Sequence, residues 1–361
     1  MRTLVLFLSM AAAALAQQRK QQQEPPATDR ASLGKPRKEA VDVSVRSGTE
    51  LIYDDNILDL NNKQIKQLEN NTKPQKFRID EPDDFVYSVW AELRLKGRFI
   101  GDTTHAGLKV QPYFYQSSSI ANYEEYEIYV RQDLGRHQAG IEYQLDRDVY
   151  LRELEHTFTD SNSITVTEWE SARYMEHDLE PYYIHQITPI LSLRGSAGWR
   201  AKDFDSPFDF RDIGGYFVAV GPIVHLGKEI QAFLRYEFSS MNADASSLDP
   251  DTSHRQHEIE AGGEVELIKG LEICVKYRLG FREYTSHNEP TLIDPSHVDR
   301  DDVRHKVSFR VRWKLTPNWS LRLEYVYRRV DSDRPHDDNA TTSEPGDSTR
   351  NTVMIGATLV F

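Results

Sequence analysis

The chain has 361 residues, of which 39% are hydrophobic and 28% charged, with a formal net charge of -13, a mean hydropathy of -0.63 and one cysteine. A helical membrane protein is excluded, because a spanning helix needs about 18 or more consecutive apolar residues and the only long apolar run lies at the N-terminus. The single cysteine, Cys274, excludes a disulfide framework and cysteine-rich metal sites, and an isoelectric point near 5.4 argues against a nucleic-acid partner, which would need clustered basic surface.

Residues 1–16 pair a positive start, Met1-Arg2, with an apolar run from Thr3 to Ala14 and the small-residue cleavage pattern Ala14-Leu15-Ala16. That combination predicts a secretory signal peptide. Residues 17–38 carry a Gln run, Pro25-Pro26 and Lys35-Pro36-Arg37-Lys38, cannot bury a core, and are expected to form a flexible periplasmic leader. Residues 39–361 are expected to form one domain.

From Val41 onward apolar and polar residues alternate, the pattern of strands whose two faces meet different environments. Strands are predicted near Val41 to Tyr53, Phe85 to Arg98, His105 to Gln116, Tyr123 to Leu134, Arg136 to Leu151, Thr165 to Gln186 and Ile190 to Lys202. Seven more follow near Ile213 to Leu226, Glu229 to Phe238, His257 to Leu267, Leu271 to Tyr284, Arg304 to Leu315, Trp319 to Val330 and Asn351 to Phe361. The count is about fourteen. Twelve is the fallback, because Arg173, Glu176, His177, Asp178 and Glu180 interrupt both faces of the sixth strand, which a bulge or a projecting strand would explain. Helix is expected to be minor, a turn near Asn62 to Glu69.

Short turns at Gly101-Asp102, Gly135, Thr188-Pro189, Gly227-Lys228, Lys269-Gly270 and Thr316-Pro317-Asn318 alternate with longer polar connections. The longer ones run Asp54 to Asp84, Asp203 to Asp212, Ser239 to Gln256, Thr285 to Val303 and Asp331 to Arg350, and two connections on the same side, Ser117 to Asn122 and Arg152 to Ile164, are shorter. An even number of strands with alternating short and long connections places both termini on the periplasmic side of a bacterial membrane barrel. A soluble sandwich also alternates. The membrane is favoured because the apolar faces stay nearly free of charge over about 9–11 residues, the length of a tilted spanning strand. Aromatic residues at the ends of those faces (Phe281, Tyr284, Trp313, Trp319, Tyr325 and Tyr327) are expected to form interfacial girdles.

The stretch from Val353 to Phe361 resembles the closing strand of bacterial outer-membrane β-barrel proteins, which alternates and ends in an aromatic residue. The resemblance implies an all-β, transmembrane, antiparallel up-and-down barrel in the outer membrane, surrounded by lipid and lipopolysaccharide. It also implies insertion by the barrel-assembly machinery, with Phe361 as the assembly signal. Tyr53-Asp54-Asp55-Asn56-Ile57 looks like the Tyr-Asp-x-Asn opening of some outer-membrane porins and polysaccharide-associated barrels.

With the apolar faces toward lipid, the alternate residues point into the lumen. Glu258, Glu260, Glu264 and Glu266 form an acidic strand beside basic walls made of Lys276, Arg278 and Arg282, then Lys306, Arg310, Arg312 and Lys314, then Arg322 and Arg328. Arg194, Arg200 and Lys202 form a second basic group. Such walls could orient and select small polar or anionic solutes, or acidic and basic strands could simply pair across the ladder. Acidic loop clusters occur at Asp54-Asp55-Asn56 with Asp59, Asp80-Glu81 with Asp83-Asp84, Asp299 with Asp301-Asp302, and Asp337-Asp338-Asn339. None has the closing glutamate of a calcium loop, so no metal or cofactor is expected. The histidines fall in no nucleophile elbow or metal-binding helix pattern, so no catalytic residue is expected. The expected function is a porin-like channel for passive diffusion of small hydrophilic solutes. The alternative is a non-conducting barrel serving as a structural or surface-export partner.

Overall fold

The computed structural model describes residues 41–361 apart from 73–75, 101, 160–164, 228, 246–250, 287–296 and 334–346. The expected signal peptide and leader, and the cluster at Asp337-Asp338-Asn339, lie outside the described residues.

Fourteen antiparallel strands close on themselves. They are β1 (Asp42–Asp54), β2 (Asp84–Ile100), β3 (Asp102–Tyr115), β4 (Tyr123–Leu134), β5 (His137–Thr159), β6 (Thr165–Thr188) and β7 (Leu191–Phe204), then β8 (Ile213–Leu226), β9 (Ile230–Ala243), β10 (His254–Ile268), β11 (Leu271–Tyr284), β12 (Asp301–Lys314), β13 (Trp319–Ser332) and β14 (Ser348–Val360). Each strand pairs with its neighbour in sequence. Closure comes from β1 against β14, in register from Arg46 opposite Val360 to Asp54 opposite Thr352. Closure leaves no sheet edge, the condition for placing a sheet in hydrocarbon.

The count is fourteen rather than the fallback twelve, because the interrupted stretch is one continuous strand, β6. Its irregularities have the expected cause. The β5–β6 ladder shifts register between Asp146 and Val149 and between Tyr150 and Arg152, and Asp148 takes a φ of 62°. At 23 and 24 residues, β5 and β6 also run well past β4 and β7, which have 12 and 14. A 14-residue strand tilted by about 40° already rises about 35 Å, more than the apolar band of about 25 Å, so the extra length projects beyond the membrane. The stretch expected as a connection from Arg152 is therefore strand as far as Thr159, and Ser239–Ala243, expected as loop, belongs to β9.

Short turns gather at the end that holds the end of β14, and the long connections at the other. Gly227 (φ 77°) and Gly270 (φ 85°) take the left-handed conformation that tight turns between strands require. The helix α1 (Asn62–Glu69) starts in a reciprocal cap: Asn61 Oδ1 accepts from the Gln64 amide (2.9 Å) and Gln64 Oε1 from the Asn61 amide (3.1 Å).

The outer face is apolar. Leu51, Val130, Ile141, Leu193, Val218, Leu234, Ile259, Val275, Leu323 and Ile355, on ten of the fourteen strands around the wall, are each at least two-fifths exposed. So extensive an apolar surface is unfavourable in water and favourable against lipid chains. Phe281, Trp313, Trp319 and Tyr325 stand outward as expected. Tyr284 does not, and this corrects the sequence expectation. It shares the parity of Arg282, is 4% exposed, and packs inside against His254 and His297.

Candidate permeation pathway

The inward face is built on two layers of interaction. The first consists of aromatics seated over glycines of the adjoining strand: Trp90 over Gly48, Tyr129 over Gly107, Tyr182 over Gly140, Phe217 over Gly198 and Phe233 over Gly262. A Cβ at any of these glycines would collide with the ring, so the missing side chain makes room for it. Arg194, Arg200 and Lys276 then lie over Tyr182, Phe217 and Phe233, at 4.5, 4.1 and 5.7 Å from the ring centroids.

The second layer is ionic. Arg278 holds Glu258 (3.1 Å) and Glu260, directly opposite it in the β10–β11 ladder. Arg310 reaches Glu264 (3.5 Å), Arg312 holds Glu272, and Arg322 holds Glu324 and reaches Glu50 (3.5 Å). On the facing wall Arg194 and Arg235 share Glu180 (3.0 and 3.4 Å), while Arg200 bridges Asp178 (2.7 Å) and Glu237. Of the residues singled out in the sequence, Arg282 donates to Gln256 (3.0 Å), and Glu266 accepts from the Gly270 amide (2.7 Å). Glu264 and Glu266 line a small acidic recess of ≈150 Å³ at the short-turn end with Glu229 and Glu272. Lys314 is exposed at that same end. Phe361 is half-exposed, and its amide donates to Val45 O (2.9 Å) across the closing seam.

Glu50, Asp178, Glu180, Arg235, Glu237 and Arg350 escaped the sequence reading. For β6 the signal was present, since Glu176, Asp178 and Glu180 share one parity and face Lys202, Arg200 and Arg194 of β7.

The first long connection folds back over the mouth as a cap. Ile57 N donates to Pro82 O (2.9 Å), which brings the two ends of the segment together. Ile57, Leu58, Leu60, Phe77 and Ile79 form a buried cluster with Ala121 and Tyr150, and Ile65 and Leu68 of α1 pack on it. Each such side chain contributes about 1.5–3 kcal/mol when fully buried. Polar contacts fix the cap's position. Asn56 closes a local turn, donating to Leu60 O (2.8 Å) and to Thr349 O (2.9 Å). Asp55 accepts from both the amide and the side chain of Asn351 (2.6 and 2.7 Å). Arg350 donates through Nε to Asp54 (2.9 Å) and through Nη1 to Asp59 (3.2 Å). The Tyr-Asp-Asp-Asn stretch is thus a clasp joining the end of β1, the cap and the start of β14.

Beside the cap, toward β6–β14, a cavity of ≈640 Å³ opens at the long-loop end. Leu58 and Asp59 of the cap form part of its wall, and Arg278, Arg282, Lys306 and Arg328 line it with them. Its lining holds twelve Lys or Arg and five Asp or Glu. The cavity at the end with long connections is therefore basic and the small recess at the short-turn end acidic, although the chain as a whole is acidic.

Several of the loop carboxylates have protein partners. Asp54 and Asp59 belong to Arg350, Asp302 to Arg300 (2.8 Å), and Asp84 accepts from the amides of Ser117 and Ser118 (3.1 and 2.8 Å). Among the described residues no group of three or more His, Cys, Asp or Glu is placed to hold a metal ion.

No protein-family model and no curated protein matches the chain. Among solved structures it is similar to a loop-deletion mutant of OmpT, an outer membrane protein of Vibrio cholerae, with 10% identity, 90% of this chain and 99% of that one covered, and a TM-score of 0.46. It is similar to an anion-selective porin from Comamonas acidovorans, with 9% identity, 90% and 100% covered, and a TM-score of 0.42. It is also similar to the outer membrane channel DcaP of Acinetobacter baumannii, with 10% identity, 92% and 100% covered, and a TM-score of 0.43.

Proposed function

We propose that the protein is an outer-membrane channel through which small hydrophilic solutes diffuse passively, with its short turns and both termini on the periplasmic side. The observation that carries this is the charged cavity of ≈640 Å³ inside a wall whose outer face is apolar. Charge is costly in hydrocarbon unless hydrated or paired, and a lumen that keeps so many cations in excess over carboxylates is one that holds water and ions. The reading assigns no catalytic residue. Purified protein in a planar bilayer is expected to give stepwise conductance, and silence across the voltage range would end the channel reading.

The cap favours a second reading, a non-conducting barrel that presents its loops to a partner, because it covers the β3–β6 side of the mouth. The same bilayer measurement separates the two. For assembly, Phe361 is proposed as the signal read by the insertion machinery. Phe361→Ala removes one exposed ring and one interfacial contact, so the folded barrel should keep its stability to within about 1 kcal/mol. Its yield in the outer membrane should nonetheless fall several-fold. Equal yield of the variant in membrane fractions would remove that role.

A further inference from the structure

Across four adjacent strands the inward positions in direct register are all cationic: Arg278 opposite Lys306, Lys306 opposite Arg328, and Arg328 opposite Arg350. Directly opposed like charges destabilise a sheet, and opposed Cβ atoms stand only about 5 Å apart. The two outer rungs are compensated, Arg278 by Glu258 and Glu260, and Arg350 by Asp54 and Asp59. The two middle positions have no carboxylate of their own in contact. Among the described residues Lys306 and Arg328 have neither an ion pair nor a hydrogen-bonding partner. Both nevertheless line the cavity, where Arg328 is exposed, and Arg282 and Arg304 line it beside them. Elsewhere in the lumen a carboxylate stands within reach of an arginine, as Glu180, Glu237, Glu264 and Glu272 show. Here the nearest carboxylates, Glu260 and Glu324 beside Lys306 and Asp54 and Asp59 beside Arg328, are held by Arg278, Arg322 and Arg350 instead.

We propose that Lys306 and Arg328 form a binding site for a phosphate dianion, free or as the monoester of a small solute, which supplies the charge that the middle of the ladder lacks. The guanidinium of Arg328 offers paired N–H groups to two phosphate oxygens and the Lys306 ammonium a point charge beside them. A cavity of ≈640 Å³ leaves room for the organic part of a monoester. The inference builds on the channel reading, which supplies the solute's route to the site.

The test is calorimetric titration of the full-length protein in detergent with inorganic phosphate, and separately with a sugar monophosphate, in about 0.15 M chloride so that diffuse attraction is screened. Saturable binding of one or both is expected, and which one binds tells the free ion from the ester. It should weaken about tenfold or more in K306Q/R328Q, which removes both charge-assisted contacts. It should stay unchanged in K66Q, which removes an exposed cation of α1. The double variant also relieves repulsion, so it should melt higher than the wild type without phosphate, and phosphate should raise the melting temperature of the wild type alone. No saturable heat with either probe, equal binding by the double variant, or a double variant that fails to fold or melts lower would overturn the proposal. Calorimetry does not depend on conduction. Binding without conductance would sink only the channel reading, and conductance without binding only this site.

Discussion

Replacing Arg350 with methionine should lower the stability of the barrel by about 3 kcal/mol and release the cap. Arg350 and Asp54 keep only 18% and 3% of their side-chain surface exposed, so their charges meet little water. Breaking a buried pair by deleting one partner typically costs about 3–5 kcal/mol, because the other charge is left uncompensated. Two effects hold the figure to the low end. Asp59 is half-exposed and can be rehydrated, and losing Arg350 removes repulsion with Arg328 across the ladder, worth roughly 0.2–1 kcal/mol. Urea unfolding from lipid vesicles measures the loss. Limited trypsin digestion gives the local readout, since Lys63 and Lys66 of α1 should become cleavage sites once the cap is free. R350K, which keeps the charge but not the planar fork, should fall between. If R350M unfolds at the wild-type urea concentration and resists trypsin, the clasp does not hold the cap.

That clasp also marks the boundary of what could be read from the chain. Strand number and order follow from period-two alternation, because lipid outside and water inside impose opposite demands on successive residues along every spanning strand. Helix α1 was legible only as a turn near Asn62 to Glu69, and the structure adds the local reason, the reciprocal cap between Asn61 and Gln64. The faces failed where that two-sided constraint lapses. Beyond the bilayer β5 and β6 need not alternate, and Tyr284, at the end of β11, lies inside although its ring would suit an interface. Partnerships across the closing seam were out of reach for a different reason. Arg350 meets Asp54 at a separation of 296 residues and Arg322 meets Glu50 at 272, and only barrel closure brings those positions together. The cap lay between these extremes. Ile57, Leu58, Leu60, Ile65, Leu68, Phe77 and Ile79 are more apolar residues than a solvated connection needs, a signal that reading Asp54 to Asp84 as a polar loop passed over.

Excising residues 58–81 and joining Ile57 to Pro82 by a short glycine bridge should enlarge the conductance about twofold or more, since the narrowest charged constriction governs passage. The geometry permits the cut, because the Ile57 amide and the Pro82 carbonyl are already in hydrogen-bond contact at 2.9 Å. Fourteen strands enclose a lumen between the filled eight-strand barrel and the open sixteen-strand pore, so whether it is open depends on what lies across it. The excision removes Leu58 and Asp59 from the cavity wall and uncovers Tyr115, Ile120 and Tyr150, yet it leaves every strand pairing and the Arg350–Asp54 contact in place. The shortened chain should therefore still fold to a heat-modifiable barrel, less stable because the apolar cluster beneath the cap is gone. Larger steps in the excised protein alongside small steps in the wild type would make the cap a constriction. Large steps against a silent wild type would make it a closed gate and favour the non-conducting reading for the resting protein. Steps of equal size would show that solutes pass along the basic wall of β11–β13 without meeting the cap.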